Sequence, residues 1–401
     1  VVALVEGTLT CYGDMVCIQF RAISTFPEEK QLWIEDYMVD KNEILNLYSR
    51  IIQKMAHEMK INLTPQGETW LAEKRRIVPE AYDAYLQGRI LLDQFNPPSF
   101  HAAVDSFKKA IALEPEWAAP YAGISEVQAY QRQMGIGSES DIIMMYEYLN
   151  KALELDPNSA EAHLANAVIA AWTEFAWKKA ENEFVKAIDL NPSIERSHSF
   201  YAHLLTILRR TDEALYHGKR ALELDPENPF TVGLYVQVLL GNNKCQEAIN
   251  FIKEALSIDP DHLFLQGMLT DAYKCSGDYD RAFEYWKKGQ YKIWEKFGVT
   301  ELLEKTYHEQ GWIAFIRELK RINEGVMAEF LGNRLPAVLS ARHIELGEYD
   351  KYIDYLEMWY EIDPKNPSWP YLFTKGYYDK MKGYPRYLAL LEKFNLPVSE
   401  E

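Results

Sequence analysis

Six segments of this 401-residue chain end in nearly the same way. KKAIALEP (108–115), NKALELDP (150–157), VKAIDLNP (185–192), KRALELDP (219–226), KEALSIDP (253–260) and EMWYEIDP (357–364) each read as the last turns of a helix stopped by proline. Proline has no N–H to donate and pushes the residue before it out of the helical region, so it marks a boundary. From Pro115 to Pro260 the intervals are 42, 35, 34 and 34 residues, and Pro364 lies 104 further on, close to three more periods. A unit of this length cannot bury its apolar face alone. Neighbours must stack, so the pattern calls for an array rather than one compact core.

Positions inside each period agree. A small residue recurs 12 before the proline (Ala103, Ala180, Ala214, Ala248) and an alanine 5 before it (Ala110, Ala152, Ala187, Ala221, Ala255). The first set allows the second helix of each unit, B, to cross the first, A, closely. Larger residues on the same face, Phe107, Phe184 and Ile252, fill the space between. DAYKCSGDYDRAFEYW (271–286) keeps this layout with Gly277 at its turn and Ala282 at the crossing. Residues 302–324 fit a degenerate unit around Gly311, and 341–364 another with Gly347 at the turn. Two helices per period of about 34 is the tetratricopeptide (TPR) signature. The expected fold is mainly α: a right-handed α-α superhelical solenoid of about eight helix pairs, preceded by a small partial α/β domain.

That domain is legible as a change of period. MVCIQFRAIST (15–25) alternates, placing Val16, Ile18, Phe20 and Ala22 on one face. Gly13-Asp14 separates it from VEGTLTCY as a hairpin turn, and KQLWIEDYMV (30–39) reads as a third strand. Asp40 and Glu43 offer a capping box to a helix whose apolar face is Ile44, Leu47, Tyr48, Ile51, Ile52 and Met55. The organisation expected is an α/β domain over 1–64, a linker over 65–79, the solenoid over 80–364 and a C-terminal helical cap over 365–401. The first residues already read as strand, so a further segment upstream is expected.

These motifs also carry a resemblance. Glu6-Gly7-Thr8, Gly13-Asp14, Leu32-Trp33 and Tyr37, followed by an amphipathic helix, resemble the latter half of the TolB-like amino-terminal domain of bacterial signalling proteins. AYDAYLQGRILL (81–92) is similar to the opening of the repeat array in that family. Pro385-Arg386 and Leu390-Leu391 resemble its closing segment, with Gly-Tyr in place of the usual aspartate before Pro385. The resemblance implies a sensory or interaction arm joined, often through a membrane helix, to an upstream output domain: a winged-helix DNA binder, a nucleotide cyclase or a protein kinase. Such a membrane helix would place this region in the periplasm; without one it is cytoplasmic.

Composition narrows the function classes. Asp and Glu outnumber Lys and Arg by 60 to 43, a formal charge of −17, which argues against direct nucleic-acid binding over most of this region. Four cysteines, Cys11, Cys17, Cys245 and Cys275, lack CxxC spacing. A disulfide framework or zinc site is not expected, burial as small apolar residues is, and the compartment leans towards a reducing one. His57-Glu58 and His308-Glu309 have no second His four residues on, and no GxSxG occurs. MGIGSESD (134–141) lacks a dinucleotide fingerprint and falls where the period stretches to 42, as an enlarged inter-helix turn would. No catalytic residue, metal or cofactor is expected.

Binding is the expected work. The register turns Trp172, Phe200, His203, Gln237, Asp271 and Lys274 of the A helices towards the concave groove, where a protein, peptide or small ligand could lie. The alternative for Trp172 and Phe200 is packing between neighbouring A helices. The groove lacks the Lys/Asn set of chaperone-tail clamps and an asparagine ladder. The leading reading is a non-catalytic sensor and interaction module; its rival is a free-standing scaffold or assembly factor. A homodimer is left open.

Overall fold

The computed structural model describes residues 3–12, 15–24, 30–40, 44–58, 77–94, 96–134, 136–260 and 262–398. Three antiparallel strands, β1 (Ala3–Tyr12), β2 (Met15–Ser24) and β3 (Lys30–Asp40), pair in the order β1-β2-β3. Tyr12 faces Met15 in the ladder, which leaves two residues for the hairpin turn. Helix α1 (Ile44–Glu58) packs on β3. Val16, Ile18, Ala22, Trp33, Tyr37, Leu47 and Ile51 form the core, with Phe20 stacked on Trp33. Ile52 faces solvent instead, 40% exposed, because it follows Ile51 by 100° around the helix. Gly13, Asp14 and Glu43, and with Glu43 the expected capping box, lie outside the described residues.

The solenoid follows as eight helix pairs. They are α2 (Pro79–Asp93) with α3 (Pro97–Leu113), α4 (Ala118–Gln133) with α5 (Glu139–Leu155), and α6 (Ala160–Trp172) with α7 (Trp177–Leu190). Next come α8 (Glu195–Ile207) with α9 (Thr211–Leu224), α10 (Pro229–Gly241) with α11 (Cys245–Ile258), and α12 (Leu263–Ser276) with α13 (Tyr279–Glu295). The seventh pair is α14 (Thr300–Glu324), broken at Gly311. A short α15 (Ala328–Leu331) leads to the eighth pair, α16 (Leu335–Glu345) and α17 (Tyr349–Ile362). The long second period is an enlarged A–B turn closed by a capping box between Ser138 and Asp141.

Five repeats end alike. The residue before the proline leaves the helical region while its N–H still bonds the carbonyl of the recurring alanine: Glu114 to Ala110, Asp156 to Ala152, Asn191 to Ala187, Asp225 to Ala221, Asp259 to Ala255. The crossing alanines 103, 180, 214, 248 and 282 are fully buried. The proline carbonyl, left without a helical partner, is taken up six residues on. Tyr121 donates to Pro115 O (3.0 Å), His163 to Pro157 O (3.0 Å), His198 to Pro192 O (3.2 Å) and Gln266 to Pro260 O (2.6 Å). One repeat's stop is thus tied to the next repeat's A helix.

The A–B turns hold a second period. Phe175, Arg209, Asn243, Gly277 and Gly311, spaced 34 apart, all take positive φ, as does Gly347. Three of these are glycines, for which the left-handed region carries no Cβ penalty. The other three side chains gain contacts there: Phe175 stacks on Trp177, Arg209 grips the C-terminal segment and Asn243 abuts Gly376.

The C-terminal segment does more than cap. Trp369–Phe373 forms a 3-10 turn, followed by α18 (Lys375–Met381) and α19 (Pro385–Lys393). One side stacks on α17, through Trp359 on Trp369 (4.3 Å) and Arg386 on Asp354 and Glu357. The other side reaches back to earlier repeats. Trp177 donates to Phe394 O (2.6 Å), and Arg209 donates to Phe373 O and Pro397 O while lying over the Tyr378 ring. One apolar core therefore joins Leu92–Val238 to Ile344–Leu396, and a second fills repeats five to seven. Trp369, Phe373, Tyr387, Leu390 and Leu391 are 0–1% exposed. At about 1.5–3 kcal/mol each, their burial amounts to roughly 10 kcal/mol, so the segment is a permanent part of the fold.

One expectation about the cysteines is corrected. Cys245 and Cys275 form a disulfide, with Cα atoms 5.5 Å apart, and Cys17 is a free thiol. Spacing along the chain concealed the pair: A–B turns of successive repeats stack along one edge, so residues 30 apart become neighbours. The lean towards a reducing compartment loses its basis.

Candidate functional site

The face formed by the A helices has two parts. Over repeats two to four it is filled. Trp172 and Phe200 are 1% exposed and His203 2%. Phe200 packs edge-on to Trp172 (5.6 Å between centroids) and stacks on Tyr130 (5.1 Å), which is the packing role left open for both residues. Tyr371 from the C-terminal segment sits over them.

Its hydroxyl accepts from Gln133 Nε2 (3.3 Å) and lies 3.2 Å from His203 Nδ1. His203 Nε2 is 2.8 Å from the Leu234 carbonyl, which can only accept, so Nε2 carries the proton and Nδ1 accepts from Tyr371. Burial drives His203 down to about 4, only partly offset by the Leu234 bond, and pushes the Tyr371 phenol up. Both groups are neutral at pH 7.

Beside this lies a buried ionic knot. Glu126 of α4 takes Arg89 (2.9 Å) from α2, Arg196 (3.1 Å) from α8 and the Tyr130 hydroxyl (2.6 Å). Arg196 also pairs with Asp93, so the fourth repeat touches the end of the first repeat's A helix. The groove is pinched shut here.

Over repeats four to six it stays open, as a cavity of about 1200 Å³. Phe200, His203, Gln237, Asp271 and Lys274 line it, and Glu345, Tyr377 and Lys380 join them from repeat eight and the C-terminal segment. Five of the six residues expected in the groove therefore meet in one cavity, and Trp172 lies in the core behind it. Gln237, Asp271 and Lys380 are exposed. Lys274 bonds Glu345 (2.6 Å) and Asp271 (3.3 Å); burial works against its charge, but these carboxylates hold its pKa above the ordinary lysine range. A recess of about 250 Å³ opens behind Lys274 between Trp286, Trp294 and Trp312.

Sequence reasoning missed Tyr371, Tyr377, Lys380 and Glu345. They arrive from repeat eight and the C-terminal segment, and no periodicity relates them to repeats four to six. Among the described residues no group of three or more His, Cys, Asp or Glu could hold a metal, and no helix is long and apolar enough to cross a membrane.

No family model matches the chain. Among curated proteins, it is 22% identical over 143 residues to the "Putative adenylate cyclase 3" of Rhizobium meliloti (strain 1021), covering 35% of this chain and 24% of that protein. It is 33% identical over 79 residues to the transcriptional regulator HilA of Salmonella typhimurium, 20% of this chain and 14% of HilA. The chain spans about a quarter of the first relative's length and about a seventh of the second's. Among solved structures, it is similar to YrrB, described as a TPR protein with an unusual peptide-binding site: 21% identical, TM-score 0.32, over 47% of this chain and 92% of YrrB. The paired helices and their 34-residue period make the chain an α-α solenoid of the tetratricopeptide pattern.

Proposed function

We propose that this chain is the binding arm of a bacterial signalling or transcription-regulatory protein. It takes a peptide, protein or small ligand in the open part of the concave face and relays its presence to an upstream output domain. The α/β unit, which resembles a TolB-like domain, is the element through which the relay passes. Small rotations between repeats add along a solenoid, so a ligand touching several repeats and the C-terminal segment in the cavity shifts many helices at once.

The observation that carries this reading is the cavity itself. The chain fills repeats two to four of its own groove with its C-terminal segment but leaves about 1200 Å³ open over repeats four to six, with charged and amide side chains in its lining. That volume suits a small molecule or a short extended peptide. Partial likeness to a cyclase and to a transcriptional regulator supports the signalling context.

The test replaces Gln237→Trp and Lys274→Glu in the intact gene product and follows its output. The expected result is output that no longer responds to its stimulus while the chain stays folded by circular dichroism. An unchanged response in both variants overturns the reading.

A further inference from the structure

The rim of the cavity carries chemistry that ligand binding does not use. Cys245 is the first residue of α11, Cys275 stands in the last turn of α12, and their disulfide ties the A–B turns of repeats five and six together. Cys275 is exposed and lines the cavity; Cys245 is half-buried. The two sulfurs are also electrostatically unequal. At the start of a helix, unsatisfied N–H groups and the positive end of the dipole stabilise a thiolate, and Lys244 precedes Cys245. At the end of a helix, the carbonyls and the negative end disfavour one.

We propose that Cys245–Cys275 is a thiol–disulfide exchange site with a fixed polarity, and that its co-reactant is a dithiol. The incoming thiolate attacks the exposed Cys275 sulfur, forms a mixed disulfide with it, and expels Cys245 as the thiolate its helix stabilises. The second thiolate of the reductant then attacks the reductant sulfur bound to Cys275 and releases Cys275. Two electrons pass from the dithiol to the protein, the dithiol leaves as a disulfide, and its two protons end on the two cysteines. Reduction unties repeat six from repeat five. Asp271 and Lys274 lie within the turn before Cys275, so loss of the bond loosens this part of the cavity lining relative to Gln237.

The test uses the intact chain and glutathione as a monothiol probe, sampled early, before a second glutathione resolves the mixed disulfide. Free thiols are then capped with iodoacetamide and the adducts mapped by peptide mass, with Cys17 as an internal thiol control. The expected product carries glutathione on Cys275 and the cap on Cys245, at least tenfold over the reverse arrangement. Equal or reversed products overturn the proposal, and so does a disulfide that resists glutathione until denaturant is added. So do free Cys245 and Cys275 in protein purified without reductant. Under a dithiol such as dithiothreitol, amide exchange over 271–277 rises at least tenfold while that of α6 is unchanged. No rise means that the bond does not hold the cavity wall, and sinks that part of the proposal.

Discussion

Tyr371 donates its hydroxyl proton to Nδ1 of His203 at 3.2 Å, across 168 residues of sequence. The contact marks the place where the end of the chain enters the groove made by its middle. It ties the C-terminal segment to repeat four within one apolar core, beside the open cavity.

Removing that hydroxyl should therefore cost stability. Tyr371→Phe keeps the ring but takes the shared partner from His203 and Gln133, at about 1–3 kcal/mol. Trp369→Ala, which empties a site 0% exposed, should cost about 3–5 kcal/mol. Urea unfolding at neutral pH measures both. A Trp369→Ala chain as stable as the parent would mean that the segment does not close the fold.

Acid should loosen the same region. His203 and His217 are both lowered by burial to about 4, against about 6.5 in an unfolded chain. Between those values the unfolded state binds protons that the native state refuses, so stability is full above about 6.5 and falls as pH drops towards 4. Fully buried His203 contributes up to roughly 1.4 kcal/mol per pH unit in that window, and half-buried His217, more screened by solvent, contributes less. His203→Asn should flatten the pH dependence measured by denaturant unfolding at pH 7 and pH 5; an unaltered slope would assign the effect elsewhere.

The ionic knot should tolerate little. Glu126→Gln leaves Arg89 and Arg196 facing a neutral amide in a buried setting, a loss of about 3–5 kcal/mol. Thermal unfolding of this variant beside Glu147→Gln, an exposed control, gives the comparison, and equal melting would refute it.

Two glycines of one repeat should respond oppositely to alanine. Gly277 has φ of +78° with nothing near its missing Cβ, so Gly277→Ala pays only for the left-handed conformation, about 1–2 kcal/mol. Gly267 lies in the α12 interior with open space around it, so Gly267→Ala should stabilise by up to about 1 kcal/mol. In repeat four, a Cβ on Gly218 would stand 2.6 Å from Tyr235, and Gly218→Ala should cost about 1–3 kcal/mol. Chemical denaturation of the three variants resolves the signs.

The sequence by itself determined the solenoid. Proline stops, crossing alanines and glycine turns are local constraints repeated along the chain, so each period testifies to the next. It also put Phe200, His203, Gln237, Asp271 and Lys274, which line one cavity, on one face of the A helices, because an A-helix face follows from periodicity alone. It did not reveal the left-handed turns at Phe175, Arg209 and Asn243, where side-chain contacts outweigh the Cβ penalty that would have favoured glycine. The disulfide, the Glu126 knot and the seat of Tyr371 were decided only in the tertiary structure. Each joins residues 30 to 238 apart, and which of them meet depends on the accumulated twist of several repeats, a quantity no single repeat encodes. That twist also set which stretch of the groove the chain would fill with its own end and which it would leave open.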